Sequence, residues 1–230
     1  MTAVLATPAP VRPSPVSKQP VATSEATNHA IVLKDVTWEM YVSLRDSPAN
    51  AGLRMTFDQG VLEVVTLSIF HELISLLIHD FILEWRVARN VNVQPGGSMT
   101  LRRALLNQGL EGDQSYYIRN EAQIRSKKQI NLDSDPAPDL VVEVDHTSSS
   151  VQKMPIYAAL RVPEVWRWTQ EDLKVYVLVD EAYEERDTSE ALPGFPLDQL
   201  RIALKQRFDE NETVLVRAFR EWLQANAAKE

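Results

Sequence analysis

Pro138-Asp139-Leu140-Val141-Val142-Glu143-Val144-Asp145, followed by His146-Thr147-Ser148-Ser149-Ser150, is the stretch that decides the fold. Its near-continuous aliphatic run, opened by a proline and closed by hydroxyl residues, predicts a strand buried on both faces. Side chains alternate along a strand, so Asp139, Val141, Glu143 and Asp145 share one face and Leu140, Val142 and Val144 the other. Carboxylates on one side of an apolar strand are costly to bury unless something positive meets them. A divalent metal ion is the leading candidate for that charge. The plainer alternative is that Asp139 only opens the strand and Asp145 only closes it in solvent. It fits Glu143, set between valines, less well.

Outward from this strand, the flanking residues predict further elements. Thr147 to Ser150 offer caps for a helix over about Val151 to Leu160, with Lys153 in its first turn and Tyr157 one turn later. Glu164 to Thr169 and Leu173 to Val179 read as strands, and Leu197 to Arg207 and Thr213 to Ala225 as closing helices. Upstream, Thr37 caps a short helix to about Leu44, and Asp58-Gln59-Gly60 joins strands Leu53 to Phe57 and Val61 to Thr66 as a hairpin. Ser68 caps a long helix, about Ile69 to Ala88, with Phe70, Leu73, Ile74, Leu77, Phe81 and Trp85 at helical spacing. Val91 to Val93, Met99 to Arg102 and Asp113 to Ile118 read as strands, the last with Asp113 at its entrance. Together they predict an α/β fold with a mixed β-sheet flanked by helices.

Residues 1–29 are rich in Pro, Ala, Val, Ser and Thr without periodicity and read as a disordered tail ahead of a single domain over residues 30–230. With no charged start and compact apolar core for a secretory signal, and no apolar run of spanning length, the chain is expected to be cytoplasmic and to have no membrane partner. The absence of cysteine excludes disulfides, thiol catalysis and cysteine-based zinc sites. A net charge of −8 argues against a nonspecific nucleic-acid coat, though not against a nuclease with an acidic site. Arg125, Lys127 and Lys128 form a basic cluster that reads either as solvated surface or as a phosphate contact.

Metal-assisted hydrolysis of a phosphodiester needs carboxylates to hold the ion and a cation to stabilise developing charge. Asp113 and Glu143 can supply ligands from adjacent strands, and Lys153 can return its ammonium to the same spot across the Ser/Thr turn. A lysine at a helix N-terminus is unfavourable there, so an acidic neighbour is expected; the alternative is a surface lysine. Glu72 and His79 share a helix face, and His71, Glu72 and His79 read either as groups near this site or as ordinary polar residues of a half-buried helix. No Gly-rich phosphate loop and no Ser-His-Asp arrangement can be picked out.

The motif Pro138 to Asp145, then Thr147 to Ser150, Lys153, Tyr157 and Val162-Pro163-Glu164-Val165-Trp166, resembles the Uma-two family of restriction-endonuclease-like proteins, cyanobacterial type, of the PD-(D/E)XK nuclease superfamily. The resemblance extends back to Leu110 to Ile118 and covers about Leu53 to Phe195. It implies a four-stranded mixed sheet core flanked by helices, a Mg²⁺ (or Mn²⁺) site of the endonuclease type, and DNA as substrate. By that resemblance Asp113 and Glu143 are the acidic ligands, Lys153 is the lysine displaced from position 145 to the next helix, and Glu72 is the helical glutamate. Asp139 belongs to the Pro-Asp-Leu signature, as a third metal ligand or as the residue that orders the strand entry. Two positions depart from the pattern: Gly112 stands where a proline is expected and Arg161 where a glycine is. Three readings follow: a metal-dependent DNA endonuclease acting as a homodimer, a non-catalytic nucleic-acid- or protein-binding module on a nuclease fold, and a partner-binding protein whose carboxylates only make ion pairs.

Overall fold

The structure is a computed structural model that describes residues 30–145, 151–169 and 171–226. The expected tail over 1–29 and the expected caps Thr147 to Ser150 lie outside the described residues. In chain order the strands are β1 (Ala30–Leu33), β2 (Leu53–Asp58), β3 (Val61–Thr66), β4 (Gln94–Pro95), β5 (Thr100–Arg103), β6 (Gln108–Glu111), β7 (Gln114–Tyr117), β8 (Leu140–Asp145), β9 (Glu164–Thr169), β10 (Asp172–Val179) and β11 (Ala182–Arg186). The helices are α1 (Trp38–Asp46), α2 (Ile69–Arg89), α3 (Glu121–Ile124), α4 (Lys153–Ala159), α5 (Leu197–Gln206) and α6 (Glu212–Ala225).

The strands form two sheets. A six-stranded sheet runs β11-β10-β9-β8-β7-β4, and a five-stranded antiparallel sheet runs β1-β3-β2-β6-β5. Only β8 and β9 are parallel in the first, with α4 as the crossover between them, so the sheet is mixed as the sequence predicts. The sheet extends the four-stranded core that the resemblance implies to six strands, and the second sheet adds five more.

The central strand β8 is buried on both faces, and its two sets of side chains enter different cores. Leu140, Val142 and Val144 pack with Trp166, Trp168 and Leu173 against Leu77, Phe81 and Trp85 of α2 and Phe219 of α6. Val141 and its register partner Val165 face Leu101, Leu110, Ile156 and Tyr157. A smaller cluster of Tyr41, Met55, Phe57 and Leu62 seals α1 onto the five-stranded sheet. Among the described residues, no helix is long and apolar enough to cross a membrane.

Sequence and structure differ at several elements. Val91 to Val93 is not a strand; Val93 is buried in the core, and the ladder begins at Gln94 and Pro95, opposite Tyr117 and Tyr116. Pro95 lacks an N–H for a further partner, which suits the edge position of β4. The hairpin at Gln59-Gly60 holds as read, with φ of 45° and 101°, the two positive angles of its turn class. Arg161, standing where the family pattern has glycine, still takes the left-handed backbone at φ 62°. Its guanidinium donates to the Asp180 carbonyl at 2.8 Å, an anchor that offsets part of the backbone cost.

Strand β6 has no aliphatic pattern to announce it, because its Gly109 is there for space. A Cβ on Gly109 would lie 2.5 Å from the Tyr41 hydroxyl and 2.8 Å from Arg102 Cβ. Substituting alanine is therefore expected to lower stability by about 1–3 kcal/mol, the usual cost of overpacking, measured by urea unfolding. An unchanged midpoint would show that Tyr41 and β5 yield freely.

Candidate active site

The chain passes from one sheet to the other in the two residues Gly112 and Asp113, between β6 and β7. Gly112 explains its departure from the family pattern: a Cβ there would lie 2.7 Å from Val141 Cγ1 and 3.0 Å from the Tyr157 hydroxyl. Asp113 then clasps β8, its N–H donating to the Val142 carbonyl at 3.1 Å and its Oδ2 accepting from the Val144 N–H at 2.7 Å. The same Oδ2 lies 2.9 Å from Nε2 of His71, in the first turn of α2, and both side chains are buried. The Ser68 hydroxyl caps that turn by accepting from the His71 N–H at 3.3 Å, which fixes the helix start beside Asp113.

Glu143 occupies the middle of β8 and is 2% exposed. Lys153 Nζ donates to its Oε2 at 2.7 Å, and the Tyr157 hydroxyl donates to its Oε1. Lys153 and Tyr157 are four residues apart on α4, so both reach Glu143 from one helix face. The acidic neighbour expected for a lysine at a helix N-terminus is thus Glu143. Two residues on, Asp145 forms an ion pair with Arg167 of β9.

The charges divide the two carboxylates. Burial pushes Asp113 up, but the His71 hydrogen bond and charge, Lys153 and the Val144 N–H outweigh it and hold Asp113 below the usual carboxylate range. Glu143 is pushed up to about 7, chiefly by burial and by the nearby Asp113 charge, against the pull of Lys153 and Tyr157. Burial alone would lower Lys153, yet Glu143 and Asp113 raise it, so it stays an ammonium at neutral pH. Burial and the Glu143 charge keep Tyr157 a phenol. His71 is raised through Asp113, against the opposing effect of burial.

Of the residues singled out in the sequence, the structure brings Asp113, Glu143 and Lys153 together. It does not bring Asp139 to them. Asp139 accepts from the N–H groups of Ile118 at 2.7 Å and Asn120 at 3.3 Å, and from the Asn120 amide at 3.2 Å. Four residues along a strand from Glu143, it lies roughly 13 Å away, too far for the two to share one ion. This is the strand-ordering alternative. Glu72 is half-buried, one helical step of about 100° from His71, and it is His71 that meets Asp113. His79 bonds the Tyr116 hydroxyl at 3.0 Å, apart from this cluster. In the basic loop, Arg125 pairs with Glu121 and Lys127 with Asp135.

Two contributors, Tyr157 and Arg167, are not assigned in the sequence, and His71 is left there between a group near the site and an ordinary polar residue. Tyr157 is recoverable from its spacing to Lys153, and Arg167 from its place on the strand parallel to β8. His71 carries no such signal, because the helix rotation is set by packing. Among the described residues no group of three or more His, Asp or Glu side chains is arranged around a metal position. The pair Asp113 and Glu143 still fits a hard divalent cation, which commonly takes one or two carboxylates and completes its shell with water and phosphate oxygens. Burial first, and the Asp113 charge after it, raise Glu143, and a cation bound beside the two carboxylates would oppose both.

A mixed sheet with helices on its faces, and a carboxylate-lysine cluster on its central strand, defines a restriction-endonuclease-like fold. A crystal structure of a "putative nuclease belonging to DUF820" from Anabaena variabilis ATCC 29413 is similar to it, with a TM-score of 0.51 at 14% identity, covering 76% of this chain and 98% of that one. No curated protein matches the sequence. The family model Uma2, described as "Putative restriction endonuclease", matches residues 38–205, and the chain belongs to this family.

Proposed function

We propose that this chain is a metal-dependent DNA endonuclease that hydrolyses phosphodiester bonds. The observation that carries the reading is the contact of Lys153 with buried Glu143, beside a second buried carboxylate, Asp113, at the entrance to the neighbouring strand. Asp113 and Glu143 would hold Mg²⁺ or Mn²⁺, and a cation bound there supplies Lewis-acid neutralisation of the charge that develops on phosphate. Lys153 stays protonated, so it stabilises charge and does not act as the base. Tyr157 orients Glu143, and His71 with the Val144 N–H fixes one oxygen of Asp113. The reading includes a cytoplasmic setting and a homodimer, since cutting both DNA strands needs two sites and symmetric pairing is the common way to provide them.

The test is metal binding by calorimetry together with nicking of supercoiled plasmid, on the wild type and on Glu143→Gln. Metal-dependent nicking by the wild type is expected. The variant is expected to bind metal about 10–100-fold more weakly, or not at all, and to lose nicking. A wild type that neither binds metal nor nicks would overturn the proposal.

A further inference from the structure

The position two residues after Glu143 holds Asp145, and its charge is met from the next strand. In the parallel pair β8–β9 the register partner of Glu143 is Arg167, so Arg167 rises on the same sheet face as Glu143 and Asp145. Its Nε donates to Asp145 Oδ2. The Arg167 side chain is 42% exposed and that of Asp145 21%, whereas Glu143 beside them is buried. Arg167, Asp145, Lys153 and Glu143 line one small cavity of about 100 Å³. Of the two cations that line it, Arg167 is the more exposed, its side chain 42% open against 23% for Lys153.

An ion pair this exposed contributes little to stability, so structural need alone is a weak reason to place it in the cavity that Glu143 and Lys153 line. Arginine's planar fork matches a phosphate with two parallel hydrogen bonds, and its contact with Asp145 uses the donor nearest the stem. Resting on the endonuclease reading, we infer that Arg167 is a phosphate-binding residue of this site. It grips the DNA backbone where the strand enters the Glu143–Lys153 cavity, and Asp145 is the resting partner that phosphate displaces. Asp145 competes with the ligand for the guanidinium. This gives the two members of one ion pair opposite effects on DNA binding.

The experiment measures binding of a short labelled duplex DNA by anisotropy, in EDTA and over a range of salt, for the wild type, Arg167→Ala, Arg167→Lys, Asp145→Asn and the double variant. Circular dichroism checks that each is folded. Arg167→Ala is expected to weaken binding about 10-fold and to reduce the slope of log affinity against log salt by about one, the signature of one lost phosphate contact. Arg167→Lys keeps the charge without the fork and should fall between. Asp145→Asn should bind several-fold more tightly than the wild type, and the double variant should match Arg167→Ala. If the slope is unchanged in Arg167→Ala, or if Asp145→Asn weakens binding as Arg167→Ala does, the pair is scaffold and the inference fails. Nicking by the wild type with an unchanged slope overturns this subsite alone. The expected slope change without nicking overturns the endonuclease reading alone. No binding of DNA together with no metal-dependent nicking by the wild type overturns both.

Discussion

Lys153→Met is expected to reduce metal-dependent nicking about 10²- to 10³-fold, the usual effect of removing one preorganised donor to developing charge. Methionine keeps the length and much of the apolar stem that crosses the entrance to α4, so the fold is retained while the ammonium is lost. That ammonium lies 2.7 Å from Glu143 Oε2 and pulls Glu143 down against its burial. Without it, Glu143 titrates above its wild-type value of about 7. If the ionised carboxylate is the active form, wild-type nicking at limiting metal should rise with pH through about 7, and the residual activity of Lys153→Met should rise at higher pH. Stability follows the same group with a definite sign. A carboxyl whose folded value is raised binds its proton more tightly in the folded state, so this contribution is full below the unfolded value and is lost as pH rises through the folded one. In EDTA the wild type should therefore lose thermal stability between about pH 5 and pH 8, and the loss in Lys153→Met should extend to higher pH. Nicking rate against pH and melting temperature against pH are the two measurements. Wild-type nicking by Lys153→Met would remove the lysine from the mechanism.

What the sequence made legible, and what it hid, follows from how local each signal is. The strand over Leu140 to Asp145 was readable because its period, its proline entry and its aliphatic density all lie within a few residues. The opposite duties of Asp139 and Glu143 were not, since both are buried acids on the same face. Their partners come from Ile118 and Asn120 in one case and from α4 in the other. His71 and Glu72 differ by one helical step, and the contact of α2 with β8 decides which side chain meets Asp113. Strand β6 escaped because Gln108 and Gly109 have poor strand character; it forms by pairing with β2 and β5 under the ring of Tyr41. Strand β11 has no aliphatic alternation through Glu184, Glu185 and Arg186, yet as the last strand of its sheet it pairs along β10 in full register. Propensity loses to tertiary pairing at such positions.

Glu164→Ala is expected to be the most destabilising single change at a motif position, although Glu164 is no part of the carboxylate-lysine cluster. It sits in the Val162-Pro163-Glu164-Val165-Trp166 motif and is 1% exposed. Its carboxylate accepts from Trp166 Nε1 at 2.6 Å, Ser189 Oγ at 2.5 Å, Glu190 N–H at 2.7 Å and Ala191 N–H at 2.8 Å. It thereby pins the 189–192 turn, which delivers Leu192 and Phe195 to the main core, onto the start of β9. Ser189 Oγ also accepts from the Leu192 N–H at 2.9 Å, so the turn has no simple substitute for this anchor. Truncation strands several donors in a dry interior and opens a cavity, and the loss should be about 3–5 kcal/mol. For a domain of this size that corresponds to a melting temperature lower by roughly 10 °C. Glu164→Gln keeps the shape but turns an amide toward N–H groups, so it should be intermediate. Below its transition the alanine variant should retain wild-type metal affinity, because Asp113, Glu143 and Lys153 do not contact this carboxylate. A stable variant with weakened metal binding would reverse the assignment and place Glu164 in the active site.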